Sequence, residues 1–209
     1  MRALVLCDDT WHPAETVRRG LGALGGDFHF EYLADGAAWT AEQMDAFPLT
    51  VLVKANITSS QMAQAWLTPA NEQAFPNYVR RGHGLAVVHA GLARYESLPA
   101  MHALLGGAFV KHPDPCAVTV EPGSSHPVTH GLTPFTVQDE HYFVSVTDPQ
   151  AEIFLWSRSA HGEQPAGWTR TDGDGRVCVL TPGHNVEAWL HPGYQKLLLN
   201  ALRWAAKMN

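Results

Sequence analysis

Cysteine is scarce in this 209-residue sequence: Cys7, Cys116 and Cys178 are odd in number and far apart. They form no Cys-x-x-Cys pair, so neither a disulfide scaffold nor a thiolate metal motif is expected. Charge is also sparse. Asp, Glu, Lys and Arg make up 16% of the residues, against roughly 25% in an average soluble domain. The net charge is −6 with no run of basic residues, so nucleic acid is not an expected partner. No apolar stretch approaches the roughly 18 residues that a membrane-spanning helix needs. The chain opens directly on a strand-like run with no leader pattern, and a cytoplasmic protein is expected. No Gly-x-Gly-x-x-Gly follows the first strand-like run, which leaves a dinucleotide fold without support. Gly-x-Ser-x-Gly and the helical His-Glu-x-x-His are absent too, so any nucleophile or metal site must be built another way.

Hydrophobic residues at 45% are enough for a substantial core. Seven Trp on a sparsely charged chain allow for an aromatic pocket or for contacts in a homo-oligomer. The twelve His stand out more. Full protonation would carry the chain from −6 to +6, and such abundance points to histidines in chemistry or metal binding.

Ala3–Cys7, the alternating Phe28, Phe30 and Tyr32, Leu49–Val53 and Leu85–Val88 read as strands. Between them, helical spacing of Val17, Leu21 and Leu24, a start at Thr40 closed by Pro48, a turn or two over 59–66, and 71–80 read as helices. Pro76 requires the last of these to bend or begin late. This alternation predicts a parallel sheet with helices on both faces. Pro99–Leu105 is a short helix stopped by Gly106-Gly107. Residues of about 108–160 then read as strands and turns, an antiparallel section inserted in a single α/β domain of residues 1–209. Gly175–Thr181 returns to a buried strand, and Tyr194–Ala205 is an amphipathic helix that covers the sheet.

The stretch from Gly82 to Gly91 organises the chain. Leu85–Val88 is a strand buried on both faces, and His89 stands where it ends. Open α/β sheets bind ligands at that edge. The alternative for His89 is a structural ring bonded to nearby backbone. His184 follows another predicted strand in the same sense, as do Trp11, His12 and Asn56, so His12, Asn56, His89 and His184 should meet at one rim. Gln138-Asp139-Glu140-His141-Tyr142 forms a second polar group, in which Glu140 is a candidate general base or metal ligand; a polar turn entering a strand is the plainer reading. His89, His184 and Glu140 are the catalytic candidates. Trp11, Asn56, Tyr95, His112, Asp139 and Tyr142 are candidates for binding a substrate. Zinc or another divalent metal on His12, His89 and His184, with Glu140, is the sharper chemical hypothesis, because catalytic zinc takes neutral His and carboxylate ligands.

An ordered set of short matches carries a family resemblance: Gly84-Leu85-x-x-x-His89-x-Gly91, Leu104-Leu105-Gly106-Gly107-x-Phe109-x-x-His112-Pro113, His126-Pro127-x-x-x-Gly131-Leu132, Asp139-Glu140-x-Tyr142, Trp168, Gly175-Arg176-Val177, Gly183-His184 and the Leu-rich terminal helix with Trp204. The sequence resembles the ThuA-like (trehalose utilisation) family of the class I glutamine amidotransferase-like superfamily. The resemblance implies a flavodoxin-like three-layer sandwich with a mostly parallel central sheet and an antiparallel extension. In the amidotransferase relatives a Cys occupies the sharp turn after a central strand, with Gly two residues on. Here His89 and Gly91 hold that spacing, so glutamine hydrolysis through a thioester is not expected. The resemblance implies carbohydrate metabolism, on trehalose-type disaccharides or their keto derivatives. A small-molecule carbohydrate is the expected partner; the other reading is a non-catalytic sugar-binding or regulatory module.

Overall fold

Four short apolar runs, each buried on both faces, set the centre of the molecule. The computed structural model describes residues 1–208. The runs form β1 (Arg2–Leu6), β3 (Leu49–Leu52), β4 (Gly84–Val88) and β11 (Gly175–Leu180), with β2 (His29–Leu33) at the edge. These five are all parallel. The period of two is visible in where the side chains go. Ala3, Val5, Ala86, Val88, Cys178 and Leu180 enter one core, while Leu4, Leu6, Leu85, Val87, Val177 and Val179 enter the other.

Helices close both faces. α1 (Ala14–Gly22), α5 (Val186–Leu190) and α6 (Pro192–Ala205) cover the first core. α2 (Ala41–Asp45), α3 (Ala74–Arg80) and α4 (Pro99–Leu105) cover the second. The fold is thus the expected three-layer α/β sandwich. Pro76 falls in the first turn of α3, where its missing N–H costs no helical bond; the helix begins late instead of bending.

The antiparallel strands continue the same sheet. After β11 come β10 (Gly162–Asp172), β9 (Glu152–Ser159), β6 (Cys116–Pro122) and β7 (Phe135–Asp139), each antiparallel to its neighbour. β5 (Gly107–Lys111) and β8 (Phe143–Val146) pair separately as a two-stranded sheet. The antiparallel region therefore runs beyond 160, through β10 to Asp172. Trp168 of β10 is fully buried in the second core, and its Nε1 donates to the Leu105 carbonyl at 2.9 Å, tying β10 to the end of α4.

Residues 59–66 differ from the helix expected there. Ser59 and Met62 form an isolated bridge, Thr58 bonds the Gln64 carbonyl, and Ser60 N–H donates to Asp8. Ser, Thr and Asp side chains offer the backbone such local partners in place of helical bonds. Trp66 is also drawn inward against Trp39 and Phe75.

Candidate functional site

Parallel strands deliver their following loops to one rim, and that rim holds a tight cluster of His12, His89, Glu140 and His184. β4 and β11 are neighbours, with Val88 opposite Leu180. The next residues, His89 and Thr181, therefore stand side by side. His89 Nδ1 donates to the Thr181 carbonyl at 2.7 Å. A carbonyl only accepts, so this bond places the proton on Nδ1 and leaves Nε2 as the lone-pair nitrogen of the neutral ring. The backbone at His89 has φ +46°, a conformation that L residues seldom adopt. Asp8 and Arg94, in the loops after β1 and β4, also have positive φ, at +74° and +67°. Gly91 lets this turn close: a Cβ there would lie 2.3 Å from the Leu52 carbonyl oxygen.

His12 is held in the same way from the loop after β1. Asp9 is buried, and its Oδ1 accepts from His12 Nδ1 at 2.8 Å and from the backbone N–H of Trp11 and His12. Its Oδ2 accepts from Ala55 N–H, which joins this loop to the segment after β3. Burial would raise the Asp9 carboxyl, but the His12 hydrogen bond and the backbone donors outweigh it and hold its pKa below the usual value. His12 Nε2 is left buried with no hydrogen-bond partner.

The third histidine follows β11. Asp139, fully buried at the end of β7, accepts from Gly183 N–H at 2.7 Å and His184 N–H at 2.9 Å. Burial raises the Asp139 carboxyl despite these donors. Gly183 has φ +126°, and a Cβ there would meet the Tyr194 hydroxyl at 2.7 Å. His184 Nδ1 lies 3.3 Å from Glu140 Oε2, within ion-pair reach but without hydrogen-bond alignment.

Glu140 brings these rings together. Its Oε2 is also 3.3 Å from His89 Nε2, and its Oε1 is 3.5 Å from His112 Nε2. Burial alone would raise the Glu140 carboxyl; the His184 and His89 rings facing it hold it far below the usual carboxylate range. The Glu140 carboxylate raises His184, against its partial burial, while full burial lowers His89 despite Glu140. One atom from each of His12, His89, Glu140 and His184 lies within 4.8 Å of the other three. Tetrahedral ligands on zinc, at about 2.1 Å, sit about 3.4 Å apart, so two of these separations already suit such an ion. The donor set fits a divalent cation: three imidazoles and a carboxylate, two rings with their second nitrogen anchored, and buried His12 Nε2 unpartnered. Buried lone pairs that face a carboxylate are costly unless a proton or a cation lies between them.

A cleft of about 700 Å³ opens over the cluster. Trp11, Arg94, Phe109, His112, Tyr142 and His184 are among the residues that line it. Trp11 is 56% exposed and Arg94 lies over its ring at 5.9 Å. His89 itself does not open to the cleft. It is fully buried, with Tyr142 stacked on it at 3.9 Å. Two expected substrate contacts also lie elsewhere. The Asn56 amide spans to the Leu67 backbone through both of its ends. The Tyr95 hydroxyl is buried and donates to the Lys54 carbonyl. Both shape the segment after β3 and stay out of the cleft. Asp139 likewise acts from the interior, through backbone donors alone.

Asp9, Arg94 and Phe109 are site residues that the sequence reading passed over. Asp9 had a signal: an Asp just past a strand, followed by a residue two on and His three on, can accept their N–H groups as an Asx turn. Phe109 lies within the resemblance motif, but its place at the cleft was not legible there, because it arrives from the separate sheet. Cys7 is fully buried and burial pushes its thiol up to about 11, so it offers no thiolate to the rim.

Comparison with known proteins adds a family. The model of a family described as "ThuA: Trehalose utilisation" matches residues 5–205. No curated protein matches. Among solved structures, a ThuA-like protein of Bacteroides uniformis is 21% identical at TM-score 0.74, over 98% of this chain and 91% of that one. A ThuA-like protein of Parabacteroides merdae is 17% identical at TM-score 0.80, over 99% and 90%. A Thermoplasma acidophilum protein named for GMP synthase is 15% identical at TM-score 0.61, over 99% and 95%. At these identities the structures establish a shared fold. Among the described residues, no helix is long and apolar enough to cross a membrane.

Proposed function

The chain belongs to the ThuA family, and on that premise we propose that it is an enzyme of carbohydrate metabolism, acting on a trehalose-type disaccharide or keto-sugar with a divalent metal held by His12, His89, Glu140 and His184. The observation that carries this reading is the convergence of those four groups within 4.8 Å, with buried His12 Nε2 unpartnered. The family's description in terms of trehalose supports the substrate class.

A divalent ion bound there would supply Lewis-acid polarisation of a sugar oxygen or of a water molecule. The chain's own residues divide the remaining work. His184 and Glu140 face the cleft, where they can contact substrate directly. His89 and His12 are buried and serve as fixed ligands. His112, exposed at the cleft and 3.5 Å from Glu140, can exchange a proton with a substrate oxygen. Trp11 offers a flat apolar face to a sugar ring. The burial of His89 favours a second reading, a sugar-binding module without turnover, because the group standing in the nucleophile's place is sealed from the cleft.

Elemental analysis of protein purified without a histidine tag tests the first reading. One equivalent of zinc or another divalent metal is expected, and it should be lost in His12→Ala. Turnover of a keto-disaccharide should disappear with the metal. A metal-free wild type that still binds or converts the sugar would overturn the assignment.

A further inference from the structure

A second and larger cleft lies at the other end of the sheet. Arg176 stands near the start of β11 and Thr181 just past its end, about 16 Å apart along an extended strand. The cleft has a volume of about 930 Å³, and Ser124, Ser125, His126, Arg176, Arg203 and Trp204 line much of it. Among the described residues no Asp or Glu lines it, although the chain carries a net charge of −6.

Arg176 differs from most of the arginines. Arg2, Arg80, Arg81, Arg158, Arg170 and Arg203 each pair with a carboxylate. Arg176 has no such partner among the described residues. Its guanidinium lies over the Trp204 ring at 5.0 Å, and Nη1 donates to the Trp204 carbonyl at 3.0 Å. That bond caps the end of α6 but uses a single donor of a group that carries five. Asp27 already compensates the charge of Arg203, so among the described residues Arg176 is the cation of this cleft without a carboxylate partner.

His126 adds a neutral donor. It is buried, with Phe154 at 5.0 Å and Trp204 at 5.5 Å from its ring. Its Nδ1 accepts from Val128 N–H, which leaves the proton on Nε2, 3.4 Å from the Thr169 hydroxyl. Glu152 is 3.9 Å from that nitrogen but is exposed and outside the lining. An arginine with free N–H groups, an aromatic face and flanking hydroxyls form a setting for an oxyanion on an organic body.

We propose that this cleft is a second ligand site, for a small phosphate ester or carboxylate whose head group binds Arg176 and whose body rests against Trp204. Titration calorimetry on the full chain tests it, with glucose 6-phosphate, glucuronate and neutral glucose as probes. One acid should bind with one-to-one stoichiometry and weaken as salt rises, and the tighter of the two assigns the head group. Arg176→Gln should weaken it about tenfold through the lost charge-assisted bonds. Ser125→Asp should weaken it by repulsion; Ser125 is exposed, so this variant keeps the test valid if Arg176→Gln fails to fold. Arg94→Gln changes the cation of the other cleft and should leave binding intact. The proposal falls if neither acid binds saturably, if Ser125→Asp and Arg176→Gln both bind like wild type, or if Arg94→Gln abolishes binding.

Discussion

The two halves of the nine-stranded sheet contribute differently to the candidate site. The parallel half supplies three histidines, His12, His89 and His184, each on a loop that follows a strand. The antiparallel half and the small sheet beside it supply Glu140, Tyr142, Phe109 and His112. In the parallel half every strand points the same way, so its exits share one rim by construction. In the antiparallel half exits alternate between rims, and a residue's place depends on pairing that sequence alone does not state. The centre forms where one half supplies the imidazole rings and the other supplies the carboxylate.

The joint between the halves can be broken directly. Trp168→Ala empties a fully buried site on β10 and removes the bond to Leu105. Such a truncation costs about 3–5 kcal/mol, or roughly 10 °C in melting temperature for a chain of this size. Thermal melting followed by circular dichroism checks this, and a shift under about 2 °C would show that the halves hold together without it.

Glu140→Ala removes the only group of the four-membered cluster that comes from the antiparallel half. The melting curve of metal-free protein should move little, while zinc affinity, measured by competition with a chelating dye, should fall by about a hundredfold or more. Retained affinity would mean that the histidines suffice.

The two buried aspartates give a sharper contrast. Asp9 bonds a histidine ring, whereas Asp139 reaches only the backbone of Gly183 and His184. Asp9→Asn should weaken zinc binding by about 10- to 100-fold, the usual effect of losing a carboxylate behind a ligating His. Asp139→Asn, measured the same way, should cost less. The reverse order would place the loop after β11, and not the ring of His12, in control of the centre.

The smallest effect on stability belongs to Trp11. It is 56% exposed, so Trp11→Ala should change stability by no more than about 0.5 kcal/mol, while a stacked sugar should bind several-fold more weakly. Unchanged sugar binding would assign the ligand to the other wall of the cleft, near Phe109 and Tyr142.

The same contrast explains what could be read in advance. The five parallel strands, both helical layers and the meeting of His12, His89 and His184 followed from buried runs and the residues just after them. Glu140 was legible as a chemical group but not as the hub between three rings, because its neighbours arrive from strands of alternating direction. Asn56 was misplaced for a related reason. Its strand ends at the right rim, but the chain beyond it folds back, and its amide is used to hold Leu67. Tyr95 likewise turned inward, since a phenol with a carbonyl in reach gains more from burial than from the rim. No periodicity distinguishes these outcomes.

The spread of the four-membered cluster along the chain bears on biosynthesis. Its members run from His12 to His184, and its carboxylate sits between β7 and β8, which belong to different sheets. A nascent polypeptide emerging from the ribosome therefore carries early imidazoles with an incomplete set of partners until β11 and its loop have been translated. A cation that needs all four groups would load late, onto an essentially finished protein.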